Sequence, residues 1–303
     1  YKVLHNVTFP FDGAVGDETG LFPVLYWLRY LSPAGKPTDA TIARAVAQHY
    51  VYKFPERLPD GTFSRTGGWP GQSGDGPSFL WADDEFMGFD LMLRLASHTP
   101  ASATSRSYVD LLAGMAVAFG GYLTDPTDGL FAHGYNHADG ERSCCKWGRA
   151  NGWAMMSHVA VLRALKAFPG HPDQPKVLAL LQAHASAMLK AQAPDGRWHQ
   201  VLNDTGTFLE TSVTAMTVYA FATGVGEGWL PASSYVPALQ RGWEALAATV
   251  AANGTVSGVS DGTGIQTNVQ GYENRPTAWI NSAPGGLGAV LLAAAAVVPY
   301  VGL

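Results

Sequence analysis

The densest chemistry in this 303-residue chain lies in Trp81-Ala82-Asp83-Asp84-Glu85-Phe86-Met87, where three acids stand between an indole and an apolar run. Like charges this close favour a protonated member, and paired carboxyl groups are the usual equipment for cleaving sugars. Acids are also favoured at helix N-caps and in first turns, so a purely structural reading of Asp83 and Asp84 stands beside the catalytic one. Trp81 tips the balance, because an indole beside a carboxyl group favours the protonated form that a general acid needs. A helix N-terminus pulls the other way, toward the anion. Asp17 occupies the corresponding place one helical pair earlier and is the candidate second carboxylate.

A second dense segment, Trp147-Gly148-Arg149-Ala150-Asn151-Gly152-Trp153, opens another apolar run. Arg149 and Trp153 are four apart and share a helical face. On a cavity wall that face could bind a carboxylate through the guanidinium and stack a sugar ring on the indole. Over a core it would be an Arg covering a Trp. Asn151 falls off that face and caps or bonds locally. His133 in Gly129-Leu-Phe-Ala-His133 and His199 in Trp198-His199-Gln200 each follow a turn and precede a motif helix, where they could donate to sugar hydroxyls. No His, Cys and acid spacing resembles a metal set, no Gly-x-Ser-x-Gly is present, and no cofactor is implied.

The elements that must position these residues are helical. Apolar residues at i, i+3, i+4 spacing mark runs at about 20–32, 38–53, 82–97, 105–123, 150–168, 173–192, 208–224, 234–251 and 284–299. Turn chemistry such as Asp125-Pro-Thr-Asp-Gly129, Pro194-Asp-Gly196 and Ser260-Asp-Gly262 separates them, and short hairpins fit near 130–136 and 197–202. The motif residues Asp17, Asp83, Arg149, Glu210 and Pro284 recur at intervals of 66, 66, 61 and 74 residues, each long enough for one helical hairpin. Alternate helices would then run parallel and bring their N-termini to one mouth, a field that favours an anionic ligand such as a uronic acid. No low-complexity linker divides the chain, so residues 1–303 read as a single domain.

Composition narrows the classes. Charged residues make up 14% and hydrophobic ones 47%, with a net charge of -5 and a pI near 6.0. With no basic stripe, nucleic acid is not an expected partner. The apolar stretch Gly285 to Val298 is too short and lacks the basic flanks of a membrane span, so a buried inner helix is expected and a membrane partner is not. Cys144 and Cys145 are adjacent, either as free thiols or as a vicinal ring, since their Cα atoms lie about 3.8 Å apart where ordinary disulfides span roughly 4.4–6.8 Å. The chain begins at Tyr1 and carries sequons at Asn6, Asn203 and Asn253, which points to a secreted glycoprotein.

Taken in order, these motifs resemble glycoside hydrolase family 105, the unsaturated rhamnogalacturonyl hydrolases, and more distantly the unsaturated glucuronyl hydrolases of family 88. The resemblance is carried by Trp81-x-Asp83 with Phe86-Met87, Gly129-Leu-Phe-Ala-His133, Trp147-Gly-Arg-Ala-Asn-Gly-Trp153, Trp198-His-Gln-Val-Leu202, Leu209-Glu-Thr-Ser212 and Gly286-Leu-Gly-Ala-Val-Leu-Leu292. It implies an all-α (α/α)6 barrel and hydration of the C4=C5 bond of an unsaturated uronic acid at the end of a polysaccharide-lyase product. By the same resemblance Asp83 is the acid/base and Asp17 its partner, while Trp81, His133, Arg149 and Trp153 contact substrate. His199 and Asp84 are added as substrate-binding candidates. Three departures stand out: nine helical runs against twelve, no His in the loop Gly67-Gly-Trp-Pro-Gly-Gln72, and Asn136 where an acid is common. The last two bear on aglycone preference. Two other readings are an inverting glycosidase using Asp83 and Asp84, and a sugar-binding protein without catalysis.

Overall fold

A computed structural model describes residues 56–67, 69–70, 78–98, 102–275, 277–280 and 287–302. Asp17, the sequon at Asn6 and the helical runs expected at 20–32 and 38–53 lie outside the described residues. The seven later runs are all helices. They are α1 (Asp84–His98), α2 (Ala103–Leu123), α3 (Gly148–Leu165), α4 (Gln174–Lys190), α5 (Thr211–Gly226), α6 (Ala232–Ala247) and, beyond the short α7 (Val269–Glu273), α8 (Leu287–Val301).

Burial separates two kinds of helix. Every residue of α3 from Gly148 to Val159 is buried, and α5 is buried almost throughout, as expected of helices enclosed on all sides. In α2, α4 and α6 the buried residues fall on one face. The packing follows suit: α1, α3, α5 and α8 adjoin in succession, with α2, α4 and α6 laid outside them. This is the alternation of inner and outer helices that defines an α/α toroid. The final helix departs from the expected full burial. Ala289, Val290, Ala293 and Val297 are buried, whereas Leu291 is 61% exposed and Leu292 and Val298 are exposed as well. Its apolar composition reaches round the helix, but its packing against α5 and α6 uses one side. Among the described residues no helix is long and apolar enough to cross a membrane.

Three small antiparallel sheets occupy the segments that enter the inner helices. The strands are β1 (Phe79–Trp81), β2 (Gly134–Asn136), β3 (Trp198–His199), β4 (Leu209–Glu210), β5 (Val256–Ser260) and β6 (Thr277–Ile280), pairing as β1–β2, β3–β4 and β5–β6. β1 leads into α1 and β4 into α5, so the sheets gather at the N-terminal ends of the inner helices. The register Trp81↔Gly134 sets the first catalytic candidate beside the loop that carries His133. A further bond from Ala82 N–H to the His133 carbonyl, 3.0 Å, locks this pairing one residue beyond the strand.

The helix starts are satisfied in different ways. Ser102 caps α2 through the Ser105 N–H. The start of α3 lacks a side-chain cap, and its Gly148 N–H instead donates to the Gln200 carbonyl at 2.7 Å. A Cβ at Gly148 would lie 2.7 Å from the His199 carbonyl oxygen, so only glycine permits this approach. Glu210 caps α5, accepting from Val213 N–H, from the Ser212 hydroxyl and from Ser260 N–H, each at 2.8 Å. The Leu-Glu-Thr-Ser motif is thus a buried cap that ties the β5 strand end to α5.

Candidate active site

Asp83 is the last residue before α1, and its carbonyl receives the Met87 N–H at 3.1 Å. Its side chain is 13% exposed and faces the mouth, with Oδ2 3.2 Å from His133 Nε2. The same nitrogen receives the indole N–H of Trp81 at 2.8 Å. His133 is wholly buried between Trp147 and Tyr272, with ring centroids 4.8 and 5.6 Å away. Its Nδ1 meets the Tyr272 hydroxyl at 2.7 Å. Three of the candidates, Trp81, Asp83 and His133, therefore meet at one point.

Asp84 points elsewhere. It is buried in a two-bond ion pair with Arg65, whose Nε and Nη2 donate to its two oxygens at 2.7 and 2.5 Å. The Arg65 guanidinium also lies over the Trp81 ring, 4.3 Å from its centre. Asp84 thus braces the indole from behind through Arg65, and the adjacent acids are turned to different tasks.

Arg149 is buried with its guanidinium 4.6 Å above the Trp147 ring. Its terminal nitrogens donate to the carbonyls of Ser260 at 2.8 Å and Asp261 at 3.1 Å, with a longer contact to the Ser212 hydroxyl at 3.4 Å. The expected share of a helical face with Trp153 holds as backbone geometry, but Trp153 is also buried and lies against Phe86 at 4.3 Å between ring centres. Arg149 fastens the segment after β5; Trp153 packs beneath the start of α1. His199 is half-buried on the β3–β4 hairpin, its Nδ1 donating to the Thr207 carbonyl at 2.6 Å, which leaves Nε2 as an acceptor. Asn136 forms a local turn, its amide bonded to Asp139 Oδ2 and Ala138 N–H. Asn151 bonds locally, its amide donating to the Trp147 carbonyl at 3.0 Å, and also holds both the N–H and the carbonyl of Phe131, two residues before His133.

The two cysteines are joined as a vicinal disulfide with Cα atoms 3.7 Å apart, which settles the open choice between thiols and ring. The Cys145 carbonyl accepts the His133 N–H at 3.1 Å, so this ring belongs to the support of the histidine. Behind the site, Glu85 and His158 are fully buried, Oε1 to Nε2 3.0 Å, and His184 bonds Asn151 Oδ1 through Nε2 at 2.9 Å. Burial pushes the Glu85 carboxyl well up and pulls His158 down to about 3, with His184 also pulled well down. Both directions fit a neutral carboxyl group beside a neutral imidazole and not an ion pair, and among the described residues neither side chain makes a hydrogen bond despite the 3.0 Å approach.

Arg65, Trp147 and Tyr272 are site components that the sequence reading did not assign. Trp147 stood in a quoted motif without a role. Tyr272 lies on a five-residue helix amid polar loop residues and carries no local signal at all. A cavity of about 390 Å³ lined by Leu93, Arg94, Arg163, Phe168 and Tyr219 opens near the C-terminal ends of α1 and α3, at the end away from Asp83. Its arginines are paired with Asp90 and Glu227. Among the described residues no group of acids, histidines and cysteines is placed to hold a metal.

The described helices form an α/α toroid in which Trp81, Asp83 and the buried His133 meet at the N-terminal end of an inner helix. The model of glycosyl hydrolase family 88 matches residues 25–301, and the chain belongs to that family. It is 32% identical over 172 residues to the unsaturated rhamnogalacturonyl hydrolase YesR of Bacillus subtilis, covering 56% of this chain and 47% of that protein. It is 29% identical over 178 residues to an unsaturated 3S-rhamnoglycuronyl hydrolase of an Alteromonas species, covering 57% and 41%. The chain thus spans less than half the length of these curated relatives. Among solved structures, a possible family 105 member from Klebsiella pneumoniae superimposes with a TM-score of 0.82 at 18% identity, covering 98% of this chain and 73% of the other. The unsaturated glucuronyl hydrolase of Bacillus sp. GL1 gives 0.66 at 15% identity, covering 95% and 75%. These likenesses show the α/α-barrel fold.

Proposed function

We propose that this chain releases a 4,5-unsaturated uronic acid from the non-reducing end of a polysaccharide-lyase product by hydrating its C4=C5 bond. The observation that carries the reading is the placement of Asp83, partly exposed at the mouth and 3.2 Å from His133, while its neighbour Asp84 is withdrawn into Arg65. One carboxyl group suffices for this chemistry. Asp83 gives its proton to C4, water adds at C5, and the proton that the water loses returns to Asp83. The C5 hemiketal opens to a ketone, leaving C1 as a hemiacetal that expels the aglycone. An inverting glycosidase needs two working carboxyl groups about 6.5–9.5 Å apart, and the engagement of Asp84 with Arg65 weighs against that pairing.

The names of the relatives support a rhamnose-linked uronic acid as the substrate class. Several inner-helix N-termini at the mouth, together with the Arg149 charge, favour the substrate carboxylate. The vicinal disulfide and the exposed sequon at Asn253 support action outside the cell. The test is to incubate the protein with a lyase-made unsaturated disaccharide and follow the ultraviolet absorbance of the conjugated double bond. Loss of absorbance with release of free sugar is expected. Persistent absorbance with both galacturonate- and glucuronate-type substrates would exclude the reading.

A further inference from the structure

The nitrogen His133 Nε2 has two neighbours with opposite demands. The Trp81 indole N–H can only donate, so at 2.8 Å it needs a bare Nε2 with its lone pair outward. A carboxylate at Asp83, 3.2 Å away, would need a hydrogen on that same nitrogen. The tautomer of His133 therefore decides whether the imidazole holds the indole or the carboxyl group. On the far side of the ring, Nδ1 meets the Tyr272 hydroxyl at 2.7 Å, and that oxygen also receives the Gln266 N–H at 3.3 Å. The ring cannot escape to water, being fully buried.

We propose that Tyr272 is a positioning residue that accepts the Nδ1 hydrogen of His133 and so keeps Nε2 bare, leaving Asp83 free to exchange protons with substrate and water. The geometry is built for this. Tyr272 is itself fully buried, its carbonyl is held by the Gln200 amide at 3.0 Å, and Gln200 also supplies the carbonyl that starts α3. Its hydroxyl is kept protonated by burial, so it remains a neutral group able to accept. With Nε2 bare, Trp81 is fixed edge-on to His133 and presents its ring at the mouth. With Nε2 protonated, the same nitrogen would bind the Asp83 carboxylate, and Trp81 would lose its acceptor. A histidine bound to the carboxylate would compete with C4 and water for the group that does the work. The ring nitrogen that carries the hydrogen is set by the bond made at the other nitrogen.

The role of Tyr272 in turnover rests on the hydration reading above; the tautomer itself does not. The experiment is long-range 1H–15N correlation on the histidine-labelled full chain, with the His133 signals identified by their absence in His133→Gln. In the wild type we expect Nδ1 protonated and Nε2 bare; a protonated Nε2 would overturn the proposal without any substrate being present. In Tyr272→Phe we expect the hydrogen to move wholly or partly to Nε2, and an unchanged tautomer would remove Tyr272 from the role. With the unsaturated disaccharide, Tyr272→Phe is expected to lower kcat about ten- to a hundredfold, a larger factor than the rise in KM from the released Trp81, and less than the roughly 10⁴-fold cost of a wrong tautomer in a triad whose histidine transfers the proton itself. Equal loss in both parameters, or none, would count against it. If the wild type fails to hydrate the substrate, the functional reading falls, and the tautomer spectra still decide this one.

Discussion

Asp83 and Asp84 differ by one position and separate completely in task. Asp83→Asn removes the transferable proton while keeping size and shape. We expect turnover to fall about 10²–10⁴-fold with the unfolding midpoint nearly unchanged, read from the absorbance assay and a urea titration. Asp84→Asn should do the reverse. It takes from the buried Arg65 guanidinium the carboxylate that accepts two of its bonds, and the unfolding midpoint should fall. Because Arg65 also underlies the Trp81 ring, some loss of affinity should accompany the loss of stability. A variant at Asp84 that keeps full stability but loses all turnover would reverse these two assignments. The residue types alone did not separate the two acids; the family resemblance did, in implying Asp83 as the acid/base. The residue that separates them is Arg65, 19 positions upstream, and no local pattern links it to Asp84.

At the scale of elements, the helices, several turns and two short strand ranges were legible, and the long-range pairings were not. The runs at 82–97, 105–123, 150–168, 173–192, 208–224 and 234–251 are helices because apolar spacing is a local property of the chain. The alternation of inner and outer helices followed from the interval between motifs, since each turn of the toroid repeats it. The ranges expected to hold short hairpins, 130–136 and 197–202, contain β2 and β3, whereas β1 was not legible because it has three residues and pairs with β2 some fifty residues on. Arg149 illustrates the same limit: its carbonyl partners lie 111 and 112 residues away, where only the folded chain can bring them. Gly148 shows an element boundary that tolerates one residue type. Gly148→Ala would drive a methyl group into the His199 carbonyl and the Val213 side chain, and overpacking of this kind costs about 1–3 kcal/mol. We expect a lower melting temperature and a displaced β3–β4 hairpin, seen as faster hydrogen exchange at the Gln200 and Leu202 amides. Unchanged exchange at those two amides would show that the contact is relieved without moving the hairpin.

For the molecule as a whole, the buried trio Glu85, His158 and His184 should shape stability against pH. Their folded-state shifts have opposite signs in their effect. The two histidines are held neutral, while in the unfolded chain they take up protons below about 6.5; stability is therefore lost as pH falls below that value, for His158 down to about 3. Glu85 is held protonated, while in the unfolded chain it ionises above 4.5, so its contribution is full below 4.5 and declines as pH rises. Between these limits the two histidines outweigh the one carboxyl group, and above about 6.5 only the Glu85 decline remains. The trio alone thus places its best stability near pH 6.5. Urea unfolding of the wild type and of Glu85→Gln, measured from about pH 4 to about pH 9, separates the terms. Glu85→Gln should lose the decline above neutrality and keep the rise below it, because the two buried histidines are unchanged in the variant. If Glu85 and His158 instead formed a charged pair, the variant would be less stable at every pH in the range, with the largest deficit near neutrality, and the neutral states of the two groups behind α1 would have to be abandoned.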